Sequence, residues 1–399
     1  GFAMAWIPAA LLGVDWAARE DRIGGGALAG AALLLASWGD RHVFFFGTLL
    51  APVWGLAVWI ARTGFARRRP AAYGRAALAL WPAAAGVGLA LLFPFFMKAV
   101  TRAVTGAPPV AHAIGPRDIR EALLFSPDWR GLLGTSPLAM GEHIYLGALL
   151  AVLLALGGAA LALRFRRRRA ASPEAASRAA RDAASYLFLL AVLAGIAALA
   201  LGPRGPLDGW AFRWARTLIP PYALIRQPAK IFCLVPSLLG VVWALAITAW
   251  MDLAGRAAAG GNARWRILVR AGVLLAPALL TAAVIADYAR RAHPTISALE
   301  PRQDAYAAVA SDAAARKGIP RALVLPLWPG DSHYASIYQY FASLYRVRML
   351  NGYNPFIREG YFENVFRRFE SANQGRLDSG QIQALLDMRA RYVILHEDL

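Results

Sequence analysis

The sequence predicts an all-α polytopic membrane domain of about eight transmembrane helices, followed by a small α/β extracytoplasmic domain, and three observations carry that prediction. Of the 399 residues, 58% are apolar and only 17% are charged, whereas a soluble domain is nearer half apolar and a quarter charged. The apolar residues fall in repeated runs near the length that crosses a bilayer, roughly 20 residues. The basic excess, 43 Lys and Arg against 24 Asp and Glu, gathers in short stretches beside those runs, as it does in cytoplasmic loops. A single cysteine, Cys233, excludes a disulfide framework and any Cys-based metal centre.

Taken in order, the apolar runs are 1–14, 23–37, 43–61, 76–97, 144–163, 184–202, 231–251 and 267–287. The first opens inside an apolar stretch, GFAMAWIPAALLGV, with no initiator Met and no basic lead segment. It therefore reads as the remainder of a longer protein rather than a signal peptide. The second is short and rich in glycine, GGGALAG at 24–30, which suits close packing between helices. A domain of 1–290 follows, with long loops at 98–143 and 203–230. Arginine is dense at 62–75, 164–181 and 256–270 and sparse in those two long loops, so the Arg-rich loops are expected in the cytoplasm. The long loops, the turn at 37–42 and the tail are then expected outside. Nucleic acid is the weaker explanation of the arginines, because each cluster sits at a helix end where anionic lipid accounts for it.

The tail, 291–399, has periodic rather than continuous apolar residues. A helix opened by Pro301 and stopped at Gly318-Ile319-Pro320 precedes a buried strand at 321–327. Asp331 or Ser332 caps a second helix whose face is Ile337, Tyr338, Phe341, Leu344 and Tyr345. A strand at 346–350, a short helix capped by Ser379 and a strand at 391–395 complete a parallel α/β pattern.

No nucleotide-binding, zinc-protease or hydrolase motif is present, and the six histidines lack ligand spacing, so neither a cofactor nor a metal is expected. The runs hold almost no ionisable residues, which argues against a proton or ion pathway. Polar chemistry falls instead in three stretches at run ends. They are S-W-G-D-R-H (37–42), the loop holding Asp118, L-L-F-S-P-D-W-R-G (123–131) and Glu142, and P-P-Y-A-L-I-R-Q-P-A-K (220–230). In the last, Pro228 biases Gln227 away from helix, so Arg226 and Lys230 flank a helix start suited to a phosphate. Interfacial anchoring by the same residue types is the other reading.

Together, S-W-x-x-R-H, F-S-P-D-W, Y-L-G (145–147), L-I-R-Q-P-A-K (224–230), V-L-P-L (324–327) and N-G-Y (351–353) resemble bacterial polytopic membrane proteins of the GT-C superfamily. These are glycosyltransferases that use polyprenyl-phosphate-linked sugars. The resemblance implies such a donor, a glycan or lipid acceptor, and a multi-pass protein of the cell inner membrane with its C-terminal domain outside. In that superfamily the catalytic acid lies in the first outer loop, which on this reading falls upstream of Gly1, so no catalytic Asp carries over residue by residue. The carboxylates at hand are Asp40, Asp118, Asp128 and Glu142. Asp128, beside Trp129, is the first choice for the acceptor's base, with Asp40 and Glu142 behind it. Trp129 would stack on a sugar, Arg226 and Lys230 would hold the phosphate, and Tyr353 would face the site. A non-catalytic lipid or polysaccharide transport or assembly protein is the competing reading.

Overall fold

Helix dominates the computed structural model, which describes residues 2–63, 70–105, 118–134, 144–170, 172–259, 262–291, 299–330, 332–354, 357 and 359–397. The chain divides into two units, one of residues 1–101 and 117–293, the other of 102–116 and 294–399.

In the first unit every apolar run is helical. The helices are α1 (Trp6–Glu20), α2 (Ile23–Gly39), α3 (Arg41–Thr63), α4 (Pro70–Thr105), a short α5 (Ile119–Leu124), α6 (Ala148–Arg169), α7 (Pro173–Ala200), α8 (Pro206–Leu218), α9 (Val235–Ala259) and α10 (Ala263–Arg291). Among the described residues, five stretches are long and apolar enough to cross a membrane: Arg41–Trp59, Gly74–Val104, Ala148–Arg169, Pro173–Ala200 and Pro228–Arg256. The glycines of α2 have a plain packing cause. A Cβ on Gly25 would lie 2.6 Å from the Ala17 nitrogen of α1, and one on Gly30 would lie 2.5 Å from the Pro82 carbonyl of α4. Backbones that close exclude any side chain, so the run is a seam between two neighbours.

Some polar groups inside the bundle are paired, whereas the Trp6 indole nitrogen and the Thr48, Ser185 and Tyr222 hydroxyls are buried with no hydrogen-bond partner among the described residues. The Trp54 indole donates to the Leu11 carbonyl at 2.9 Å, Trp243 to the Thr281 hydroxyl at 3.0 Å, and the Tyr186 hydroxyl to the Leu154 carbonyl. At the last turns of α6 and α9 and the first half of α7, Asp252 accepts from Arg164 at 3.1 Å and from Arg168, with Arg256 at 3.5 Å. Arg164 also reaches Asp182 at 2.7 Å. The Arg-rich ends of three helices are thereby tied into one ion cluster.

The second unit holds α11 (Asp304–Ala315), β1 (Arg321–Leu325), α12 (His333–Tyr345), β2 (Arg348–Met349), a helix Ser379–Asp387 and β3 (Tyr392–Leu395). The sheet order is β2-β1-β3 and both pairings are parallel, with Ala322 opposite Met349 and Tyr392. Ser332 stands at the N-cap of α12, while Asp331 lies outside the described residues. Asp378, not Ser379, caps the last helix: its carboxylate accepts from Gln381 N–H and the Gln381 side chain accepts from Asp378 N–H. That reciprocal pair is a capping box, and it satisfies two otherwise orphaned groups. Past β1, side chains replace strands as partners. Asn351 bonds both ways to the Val324 backbone, at 2.9 and 2.8 Å, and Asn373 does the same to Leu327, across the cis Leu325–Pro326 bond.

Candidate functional site

The end of the bundle opposite the Arg164–Asp252 cluster is built from loops, and Tyr222 pins the one at 203–230. Its ring is buried among Phe45, Phe46 and Phe212, with centroids 6.1, 6.1 and 5.7 Å away. Four residues on, Arg226 lies 3.8 Å from Glu121 and stacks its guanidinium 5.4 Å from the Phe125 ring centre. Pro228 and Ser126 both crowd Gly202, where a Cβ would be 2.6 Å from each. At Gly202 the backbone is left-handed, so glycine is the residue that fits both the conformation and the contact. These contacts bring the 123–131 and 220–230 stretches together.

The 37–42 turn joins them through charge. Asp40 ends α2 and caps α3: its Oδ1 accepts from His42 N–H at 2.7 Å and from Val43 N–H at 3.4 Å, with His42 Nδ1 at 3.3 Å. Burial works to raise the Asp40 carboxyl. The two N–H bonds and the nearby His42 and Lys230 outweigh burial and hold it below the ordinary carboxylate range. It is therefore ionised at neutral pH.

Asp40, His42, Gln227 and Lys230 line a cavity of about 1110 Å³. Tyr145, Tyr288 and Arg290 line it too, at the N-terminal approach to α6 and the C-terminal end of α10. Tyr145 donates to Asp287 at 2.6 Å, and Tyr288 donates to the Leu146 carbonyl at 3.0 Å, fixing both rings. From Lys230 the wall runs along α9 through Val235, Leu239 and Trp243, faced by Leu153 and Val284. Eight residues of helix make that wall about 12 Å deep. Because Trp243 and Thr281 satisfy each other, the depth of the cavity offers a ligand apolar surface. Polar groups stand at the mouth and hydrocarbon lies below, the arrangement an amphiphile fills.

The sequence-derived residues separate on this geometry. Asp40 and Lys230 share the cavity, and Arg226 is held beside it by Glu121 and Phe125. Asp128 caps the turn Trp129–Leu132 by accepting from Gly131 N–H at 3.2 Å, and Trp129 is exposed. Neither is among the residues lining the cavity. Asp118 caps α5 in the same way. Glu142 lies outside the described residues. Tyr353 belongs to the second unit, where it lines a different pocket. His42, Gln227 and Tyr145 lie within motifs read from the sequence but were given no role there, and Tyr288 and Arg290 were not singled out. The Asp287-Tyr288 pair at the end of an otherwise apolar run is the signal that could have found the last two. Among the described residues no group of three His, Cys, Asp or Glu side chains is placed to hold a metal ion.

Comparison with protein-family models, with curated proteins and with solved structures returned no match.

Proposed function

We propose that this chain is a multi-pass membrane glycosyltransferase of the GT-C type, with about eight crossings. On this reading it takes a sugar from a polyprenyl-phosphate donor on the outer face of the cell inner membrane. The Arg-rich helix ends are cytoplasmic, and the second unit is extracytoplasmic. The observation that carries the reading is the cavity with an ionised carboxylate and a lysine at its mouth and an apolar wall beneath. A lipid-linked phosphate needs both parts: a cation at the headgroup and a dry groove for the chain. Lys230 meets the phosphate and Arg226 adds positive field from beside the cavity. Asp40 stands at the mouth as the carboxylate that takes the acceptor hydroxyl's proton, while Lys230 offsets the charge left on the departing phosphate.

A non-catalytic transport or assembly protein using the same groove is the second reading. One observation favours it: Asp40, Asp118 and Asp128 each cap a helix or turn. Two measurements on the detergent-solubilised chain separate the readings. Lys230→Ala is expected to weaken binding of a short-chain polyprenyl phosphate at least tenfold, about 1.4 kcal/mol, and Asp40→Asn to leave it within threefold. With polyprenyl-phosphate glucose and a glycan acceptor, wild type is expected to release polyprenyl phosphate over time, and Asp40→Asn to release it at least 100-fold more slowly. Binding without release would select the second reading. Binding by Lys230→Ala within threefold of wild type would remove the site altogether.

A further inference from the structure

The second unit has a pocket of its own, about 580 Å³, within the size range of small-ligand sites. It lies where α12 ends and β2 begins. The chain turns at Arg346, in the left-handed region that closes α12, and enters β2 at Arg348. Val347 between them is buried in the core of this unit, and the arginines on either side of it both line the pocket. Among the described residues no Asp or Glu lines it. Elsewhere in the unit Arg302, Arg316 and Arg367 each pair with a carboxylate. Among the described residues Arg346 and Arg348 have no ion pair within 4.0 Å and no side-chain hydrogen bond. Two unneutralised guanidinium groups sharing one concavity form a site for an anion, because each offers a planar fork to a carboxylate or phosphate.

The remaining lining narrows the anion. Gln339, Ser343 and Asn354 supply side-chain amide and hydroxyl groups, and Tyr353 adds a partly exposed ring, 36% accessible. Ser343 spends its hydroxyl proton on the Gln339 carbonyl at 2.9 Å, so its oxygen is an acceptor toward the pocket. Aromatic rings pack on sugar faces through their C–H groups, and amides bond sugar hydroxyls. The floor is rigid in advance. Asn351 is locked to the Val324 backbone, and the Tyr361 hydroxyl donates to the Trp328 carbonyl at 3.2 Å. Asn354 N–H donates to the Gly330 carbonyl at 2.7 Å. A preformed site loses little ordering entropy when it binds.

We infer that this pocket binds an anionic sugar, a carbohydrate carrying a phosphate or a carboxylate, with Arg346 and Arg348 on its charge and Tyr353 on its ring. The inference is independent of the transferase reading, since no residue is common to the two cavities. Calorimetric titration of the detergent-solubilised full chain with glucose 1-phosphate, glucuronate, glucose and inorganic phosphate tests it. At least one of the two acidic sugars is expected to bind tenfold or more tightly than glucose, and the stronger of them identifies the acid. Arg346→Ala and Arg348→Ala are each expected to reduce that affinity at least tenfold. Tyr353→Ala, which leaves the charge alone, is expected to reduce it about fivefold, within the range of a lost ring contact. Lys230→Ala is expected to change it less than twofold. Four results would overturn the proposal: no acidic sugar binds; glucose binds as tightly; inorganic phosphate matches the better acidic sugar; or Lys230→Ala abolishes the signal while the arginine variants keep it.

Discussion

The two ends of the helical bundle handle charge in opposite ways. At one end Arg164, Arg168 and Arg256 surround Asp252, and Arg164 also takes Asp182. Arg164 is only 14% exposed and Asp252 20%, so those charges are spent on one another. At the other end Asp40 and Lys230 feel each other's field without closing to an ion pair among the described residues, and both open onto the cavity. From Leu150, which lines the cavity, to Arg168 in the cluster is 18 residues of α6, about 27 Å of helix. That is close to the thickness of a bilayer's hydrocarbon core, about 30 Å. Paired ions at one face hold helices together. Separated ions at the other leave charge available to something else.

The contrast can be broken by mutation. Asp252→Ala should have the largest effect on stability, about 3 kcal/mol, because it strips three arginines of a shared partner. The midpoint of thermal unfolding in detergent reads it, and a loss under about 1 kcal/mol would mean that the cluster is mere surface decoration. Asp40→Ala should cost about 1 kcal/mol through the lost cap on α3, whereas Asp40→Asn should cost only a few tenths, since Asn caps equally well. Equal losses for the two would show that charge rather than capping matters there. Smallest of the stability effects is Lys230→Met, expected within about 0.5 kcal/mol of wild type, although on the proposed function the same change is expected to weaken phosphate binding at the cavity.

Acid sharpens the comparison further. The Asp40 carboxyl is lower in the folded chain than in the unfolded one, so its contribution is complete above the unfolded value, about 3.9. It is lost as pH falls through the lower folded value. The stability difference between wild type and Asp40→Asn should therefore be flat from about pH 8 to pH 5 and should shrink only below about pH 4. A change between pH 6 and 7 would point to His42 instead.

Much of this is legible in the sequence, and the reasons are physical. The eight apolar runs are helical over most of their length, and five of them are long and apolar enough to cross a membrane among the described residues. The small sheet showed because 321–327, 346–350 and 391–395 are apolar or β-branched and are separated by helical spacing. Boundaries were less legible. Helix α4 runs from Pro70 to Thr105 although its expected run was 76–97, because good helix formers such as Ala72, Arg75, Lys98, Ala99 and Arg102 carry the helix past its apolar stretch. Asp378 outcompeted Ser379 as a cap because only the former has Gln at the third position after it. The site was half legible. Sequence adjacency picked Asp128 and Trp129, but adjacency does not say which carboxylates meet a lysine nearly 200 residues away, as Asp40 does Lys230. The same holds for N-G-Y, where Asn351 grips a backbone 27 residues upstream.

Helix α4 has one more consequence. Its span-length stretch, Gly74–Val104, is 31 residues, about 46 Å of helix. Arg75, Lys98 and Arg102 stand near its ends, so the charge-free part, residues 76–97, is about 33 Å, close to a hydrocarbon core of about 30 Å. The turns beyond it carry basic side chains whose stems can lie along hydrocarbon while their charges reach the headgroups, and Phe93, Phe95 and Phe96 before them are all exposed. A thicker bilayer would accept this helix upright, and a thinner one would force it over. Lys98 and Arg102 thus set how far α4 can slide into the bilayer.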